Sequence, residues 1–200
     1  MIYLMAHGAG ASADSDWMVQ AAEALERHGF DVIRFNFPYM QRAIDSRSRK
    51  PPDREPVLRQ AFAEQVAAHP PPLFIGGKSM GGRMATMAAD ELGVAGVIVF
   101  GYPFHPPGRP EKLRTAHLES LTTPTLILQG ERDTFGTRAE IESYTLSPAV
   151  EVQFMTDGDH SLTPRKKSGY TLDAHLEAAA SAAAAFARKV LRENPSKPER

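Results

Sequence analysis

The sequence predicts a doubly wound α/β fold: a mostly parallel sheet of about six strands with helices on both faces. Three observations predict it. Six short apolar runs, "IYLMA", "DVIRFNF", "LFIGG", "AGVIVFGY", "PTLILQG" and "VEVQFM", are rich in Ile, Val, Leu and Phe, the habit of strands buried on both faces. Between them lie stretches with apolar residues at helical spacing. Strands alternating with helices in this way imply right-handed crossovers and hence a parallel sheet.

Taken in order, the first run begins almost at Met1. No basic segment precedes it and its apolar run is five residues long, so it reads as a strand, neither a signal peptide nor a membrane span. "DWMVQAAEALERHG" reads as a helix closed by Gly29 and "REPVLRQAFAEQVAAH" as a second. "MGGRMATMAADELG" is a third, closed by Gly93. The Ala-rich "LDAHLEAAASAAAAFARKVLREN" is strongly helix-forming. "PYMQRAIDSRSRKPPDR", after the second strand, reads as a loop. Residues 1–193 are expected to form one domain and 194–200, "NPSKPER", a disordered tail.

Composition narrows the function. The 200 residues are 42% hydrophobic and 24% charged with a net charge of -1, so no basic field points to nucleic acid or an anionic membrane. There is no cysteine, which excludes disulfides, thiolate metal sites and cysteine nucleophiles and suits a reducing cytoplasm.

Ligands of open α/β sheets sit at the carboxyl ends of the strands, so the polar residues following each run matter most. They are His7 after the first, Lys78-Ser79 after the third, Asp133 after the fifth and His160 after the sixth. "GGKSMGG" admits two chemistries. A phosphate-binding P-loop needs a glycine five residues before Gly77, and Pro72 stands there with strand residues after it. The hydrolase reading fits throughout: Gly77-Lys78-Ser79-Met80-Gly81 is G-x-S-x-G between a strand and a helix. Ser79 is then the nucleophile and Lys78 a bystander. Gly77 and Gly81 are required because side chains there would strike the adjoining strand and helix.

A serine hydroxyl needs a base, and the base needs a third group to hold it. His160 follows the last strand, where such a base belongs, and Asp133 follows the penultimate one. The oxyanion hole takes two backbone N–H groups, from Met80 and from the "HGAG" loop, with Ala9 the expected donor. Gly8 to Ala13 also matches a dinucleotide fingerprint, but Asn36-Phe37-Pro38 stands where the ribose-binding acid should be. The cluster Asp157, Asp159 and His160 is better explained by the base of a triad than by a metal. No metal or organic cofactor is expected. Four residues are candidates for substrate contact: His7, Arg42, Arg83 and His105. The segment after the second strand carries Arg42, Arg47, Arg49, Lys50 and Arg54 against Asp45 and Asp53, and could draw in substrates bearing a carboxylate or phosphate.

"HGAG", "NFPYM", "GGKSMGGR", "GYPFHPPGRPEKLRTAHL", "QGERDTFG" and "DGDHSL" span nearly the whole chain. Together they resemble small α/β-hydrolases of the dienelactone-hydrolase-like branch. The resemblance is strongest to the group that includes testis-expressed protein thirty and a large subunit of the NSL acetyltransferase complex. It implies the α/β-hydrolase fold and a triad of Ser79, Asp133 and His160. Against larger relatives, the two usual leading strands are expected to be absent and the lid segment, Tyr102 to Thr123, to be short. The expected activity is that of a serine hydrolase, carboxylesterase-like acyl transfer on a small ester or related carbonyl substrate. The alternative is a non-catalytic binding or scaffold protein on the same fold.

Overall fold

A computed structural model describes residues 1–193; the tail expected at 194–200 lies outside the described residues. The chain runs β1 (Ile2–Ala6), α1 (Asp16–Arg27), β2 (Asp31–Phe35), α2 (Pro38–Asp45), α3 (Glu55–Ala67), β3 (Leu73–Lys78), α4 (Met80–Leu92), β4 (Gly96–Phe100), β5 (Thr125–Gly130), α5 (Arg138–Ile141), β6 (Val150–Met155) and α6 (Leu172–Glu193). The six strands form one sheet in the order β2-β1-β3-β4-β5-β6, and every neighbouring pair is parallel. The order reverses direction at β1, so β1 and β3 lie side by side with their following loops diverging. That is where a doubly wound sheet opens a crevice.

Alternation within the strands explains the two layers. Tyr3 and Met5 of β1, with Ile98 and Phe100 of β4, pack among Met18, Leu25, Leu176, Ala183 and Ala187 of α1 and α6. Their neighbours Leu4, Ala6, Val97 and Val99 pack on the other face against Phe62, Met84 and Ala85 of α3 and α4. Successive side chains of a strand point to opposite faces, so runs covered on both sides must be apolar throughout. All five residues of β4 are buried. The edge strand β6 alternates instead, with Glu151 and Gln153 exposed.

All six expected strands and four expected helices are present. One expectation fails: the segment after β2 is not all loop, because its first eight residues form α2. Pro38 sits in the first helical turn, where its missing N–H costs nothing, and Met40, Ala43 and Ile44 fall on one side at helical spacing.

Candidate active site

The turn between β3 and α4 sets Ser79 apart. Its backbone lies at φ 51°, ψ -115°, a conformation that a side-chain-bearing residue holds only under strain. The Ser79 N–H is tied to Phe100 O at 3.0 Å. A Cβ at Gly77 would lie 1.9 Å from Ala6 O, and one at Gly81 would lie 2.6 Å from Ala6 O and 2.7 Å from His7 O. At both glycines the nearest atoms belong to the end of β1, the neighbouring strand, in keeping with the strand clash expected from the sequence.

Ser79, His160 and Asp133 come from three strand ends and meet in a line. Ser79 Oγ is 2.8 Å from His160 Nε2, and His160 Nδ1 is 2.7 Å from Asp133 Oδ2. Asp133 is fully buried, so each carboxylate oxygen must be satisfied from within. Oδ2 also accepts from Gln129 Nε2 at 2.8 Å, and Oδ1 accepts from the Phe135 N–H at 2.8 Å. Gln129 is itself locked by the Tyr102 N–H and by the carbonyls of Tyr102 and Gly136. Phe135 stacks on the His160 imidazole, with centroids 4.1 Å apart and planes 26° from parallel.

The loop carrying His160 is held on every side. Asp157 accepts from the Arg165 backbone and guanidinium and lies 3.0 Å from Arg132 Nε. The Arg165 side chain above all holds its carboxyl down at about 2. Asp159 Oδ1 accepts the N–H groups of Ser161 and Thr163. The two carboxylates beside His160 are thus committed to shaping its turn. Among the described residues, no group of three or more His, Asp or Glu is gathered in a way that could hold a metal ion.

Two further side chains reach the same loop, and neither is recognised in the sequence as a site residue. Lys78 Nζ donates to the His160 carbonyl at 3.0 Å, and Trp17 Nε1 donates to the next carbonyl, Ser161 O, at 2.9 Å. The ammonium lies 4.7 Å from the centre of the indole. Burial pulls the Lys78 amine down to about 8, against the pull of Asp133 and Asp159. Lys78, Trp17, Met18, Ser79, Phe135 and His160 line a cavity of about 440 Å³, with Gly8 to Ala11 along one side.

That side is the loop after β1, and its shape is imposed by the segment after β2. The Ala13 N–H donates to Asn36 Oδ1 at 2.9 Å, and Tyr39 Oη donates to Ala9 O at 3.1 Å. His7 is fully buried and links the two segments. Its Nε2 accepts the Phe37 N–H at 3.1 Å, which leaves Nδ1 to donate to Gly8 O at 2.6 Å. Burial lowers its pKa, consistent with a neutral ring in that tautomer. With the loop so held, the Ala9 N–H donates to no group among the described residues, and neither does that of Met80 in the first turn of α4. Ala9 lines the same cavity as Ser79, and the Met80 N–H lies at a helix N-terminus, which favours negative charge.

The four candidates for substrate contact do not line the cavity. His7 is a buried strut. His105 is also buried, with Nδ1 2.9 Å from Pro106 O and Nε2 3.5 Å from Glu140, so it pins the loop after β4. Arg42 pairs with Asp53 at 2.5 Å. Arg83 projects from the far side of α4, 4.0 Å from Glu55, close enough to help burial hold His117 down at about 4.

A family described as an alpha/beta hydrolase domain matches residues 1–188. No curated protein matches the sequence. Among solved structures, a dienelactone hydrolase from Anabaena variabilis superposes with a TM-score of 0.69 at 23% identity, over 94% of this chain and 85% of that one. The esterase domain of a Rhodothermus marinus protein gives 0.66 at 17% identity, over 94% and 86%. An α/β serine hydrolase without lid from Xanthomonas campestris gives 0.62 at 21%, over 98% and 84%. At these identities the likeness is one of fold. No described helix is long and apolar enough to cross a membrane.

Proposed function

The chain belongs to the α/β-hydrolase domain family, and from that premise we propose that it is a serine hydrolase that cleaves small carboxylic esters by acyl transfer. The observation that carries the reading is the continuous line of contacts from Ser79 Oγ through His160 to buried Asp133. Ser79 Oγ attacks the ester carbonyl while His160 Nε2 takes its proton. Asp133 keeps the other imidazole proton on Nδ1 and stabilises the imidazolium that forms. Negative charge on the carbonyl oxygen is met by the N–H groups of Ala9 and Met80. Each such donor is worth about a hundredfold to a thousandfold in rate. His160 then returns its proton to the leaving alcohol, and water attacks the acyl-enzyme by the same route in reverse.

The cavity of about 440 Å³ beside Ser79, with Trp17, Met18 and Phe135 in its wall, suits a short acyl group. One structural relative is described as an esterase domain and another as a serine hydrolase without lid, which agrees with ester hydrolysis. The narrower kinship with the testis-expressed protein thirty group rests on the sequence motifs alone and belongs to this reading. A panel of acyl esters graded by chain length, run on wild type and Ser79→Ala, tests it. Hydrolysis of the short esters that Ser79→Ala lacks is expected; equal rates in the two proteins would leave the reading without its nucleophile.

A further inference from the structure

We propose that the groove continuing past Gly10 and Ala11 is a subsite for a carboxylate or phosphate on the part of the ester that lies outside the cavity; this rests on the esterase reading above. The groove is a shallow, open depression of about 370 Å³ that shares Gly10 and Ala11 with the cavity beside Ser79, and the subsite requires one molecule to reach across both. Its floor is the apolar side of α2, Met40, Ala43 and Ile44, and Ile44 is 46% exposed. Arg47 and Arg49 stand at its edge, and no carboxylate lines it. The acids nearby are engaged elsewhere, Asp53 by Arg42 and Asp45 by Gln41. Arg47 and Arg49 form no ion pair among the described residues.

The backbone supplies an independent indication. The end of α2 is closed by the Arg47 N–H on Ile44 O and the Ser48 N–H on Ala43 O, each 3.1 Å, with Arg47 in the left-handed region at φ 49°. Glycine is the usual residue at this position of a helix end, because a side chain there is strained. An arginine held in that strain beside a groove points to a use for its side chain. Its planar fork binds a carboxylate or phosphate through two parallel hydrogen bonds. Because both arginines are solvent-exposed, each contributes modestly and salt screens the effect.

The test compares naphthyl acetate with analogues carrying a carboxylate or a phosphate on the naphthyl ring, at low and high ionic strength. At low salt kcat/KM is expected to favour the anionic esters by about tenfold. The preference should shrink toward unity at high salt and in the double variant Arg47→Gln, Arg49→Gln. The two anionic arms rank phosphate against carboxylate. Equal values in wild type, or a preference that survives in the double variant, would overturn the subsite. If wild type cleaves no ester, the esterase reading fails, and calorimetric titration of Ser79→Ala with naphthyl phosphate and naphthoate still tests the groove. Binding weakened severalfold by the two added substitutions supports it, and undiminished or absent binding overturns it.

Discussion

Replacing Asp133 with Asn separates charge from shape at the buried end of the line. Asn fits the same space but offers one acceptor oxygen where Asp133 offers two. The Phe135 N–H claims Oδ1, and His160 and Gln129 both donate to Oδ2. With the amide oxygen on Phe135, its NH2 faces two N–H donors. His160 relieves the conflict by moving its proton to Nε2, which turns a donor toward Ser79 Oγ and removes the base. The expected loss in kcat/KM is about ten-thousandfold, or about 5 kcal/mol of transition-state stabilisation. Folding should suffer far less, because Gln129 keeps the carbonyls of Tyr102 and Gly136 at 3.2 and 3.3 Å. One compromised buried donor costs about 1–2 kcal/mol, a few degrees in Tm for a chain of this size. Steady-state kinetics on a short acyl ester, paired with a thermal melt, reads both. A folded variant within tenfold of wild type would refute the reasoning. The acid would then have to come from elsewhere, although Asp157 and Asp159 are already committed to the turn.

Three further outcomes follow from the same contacts. Gly81→Ala places a methyl 2.6 Å from Ala6 O, and should cost about 1–3 kcal/mol by overpacking and lower kcat as the turn shifts; unchanged melting and kinetics would contradict that packing. Lys78 has a folded pKa of about 8, below the ordinary lysine value of about 10.4. Between those values the unfolded chain binds a proton that the folded protein lacks, so stability due to Lys78 rises with pH. The Tm of wild type relative to Lys78→Met should therefore climb from pH 8 to pH 10, and a flat difference would deny that the amine is desolvated. Trp17 is the single tryptophan and lines the cavity, so its emission should change when a short-chain ester analogue binds to Ser79→Ala; emission indifferent to saturating ligand would place binding elsewhere.

Much of this was legible because it is local. Strand and helix periodicities, the G-x-S-x-G turn and the acid and base at successive strand ends are each read from a few neighbouring residues. What escaped depends on residues far apart in the chain. Lys78 reads as a bystander from its neighbours, and its partner, His160 O, is 82 positions away; Trp17 and Ser161 are 144 apart. His7 looks like a site residue because it ends a strand, yet the turn of the following loop aims its ring inward at Phe37. Arg83 is four residues beyond Ser79, but the rotation of α4 directs it toward Glu55 and His117. The α2 helix carries Pro38 at its start and a run of charges at its end, which mask eight residues of helical spacing.

The central claim, that Ser79 is an activated nucleophile, is tested most directly by treating the folded protein with a fluorophosphonate and locating the adduct by peptide mass spectrometry. The account predicts one stoichiometric adduct on Ser79, absent in Ser79→Ala and formed far more slowly in Asp133→Asn. Folded wild-type protein that stays unlabelled, or carries its adduct on another residue, would contradict it.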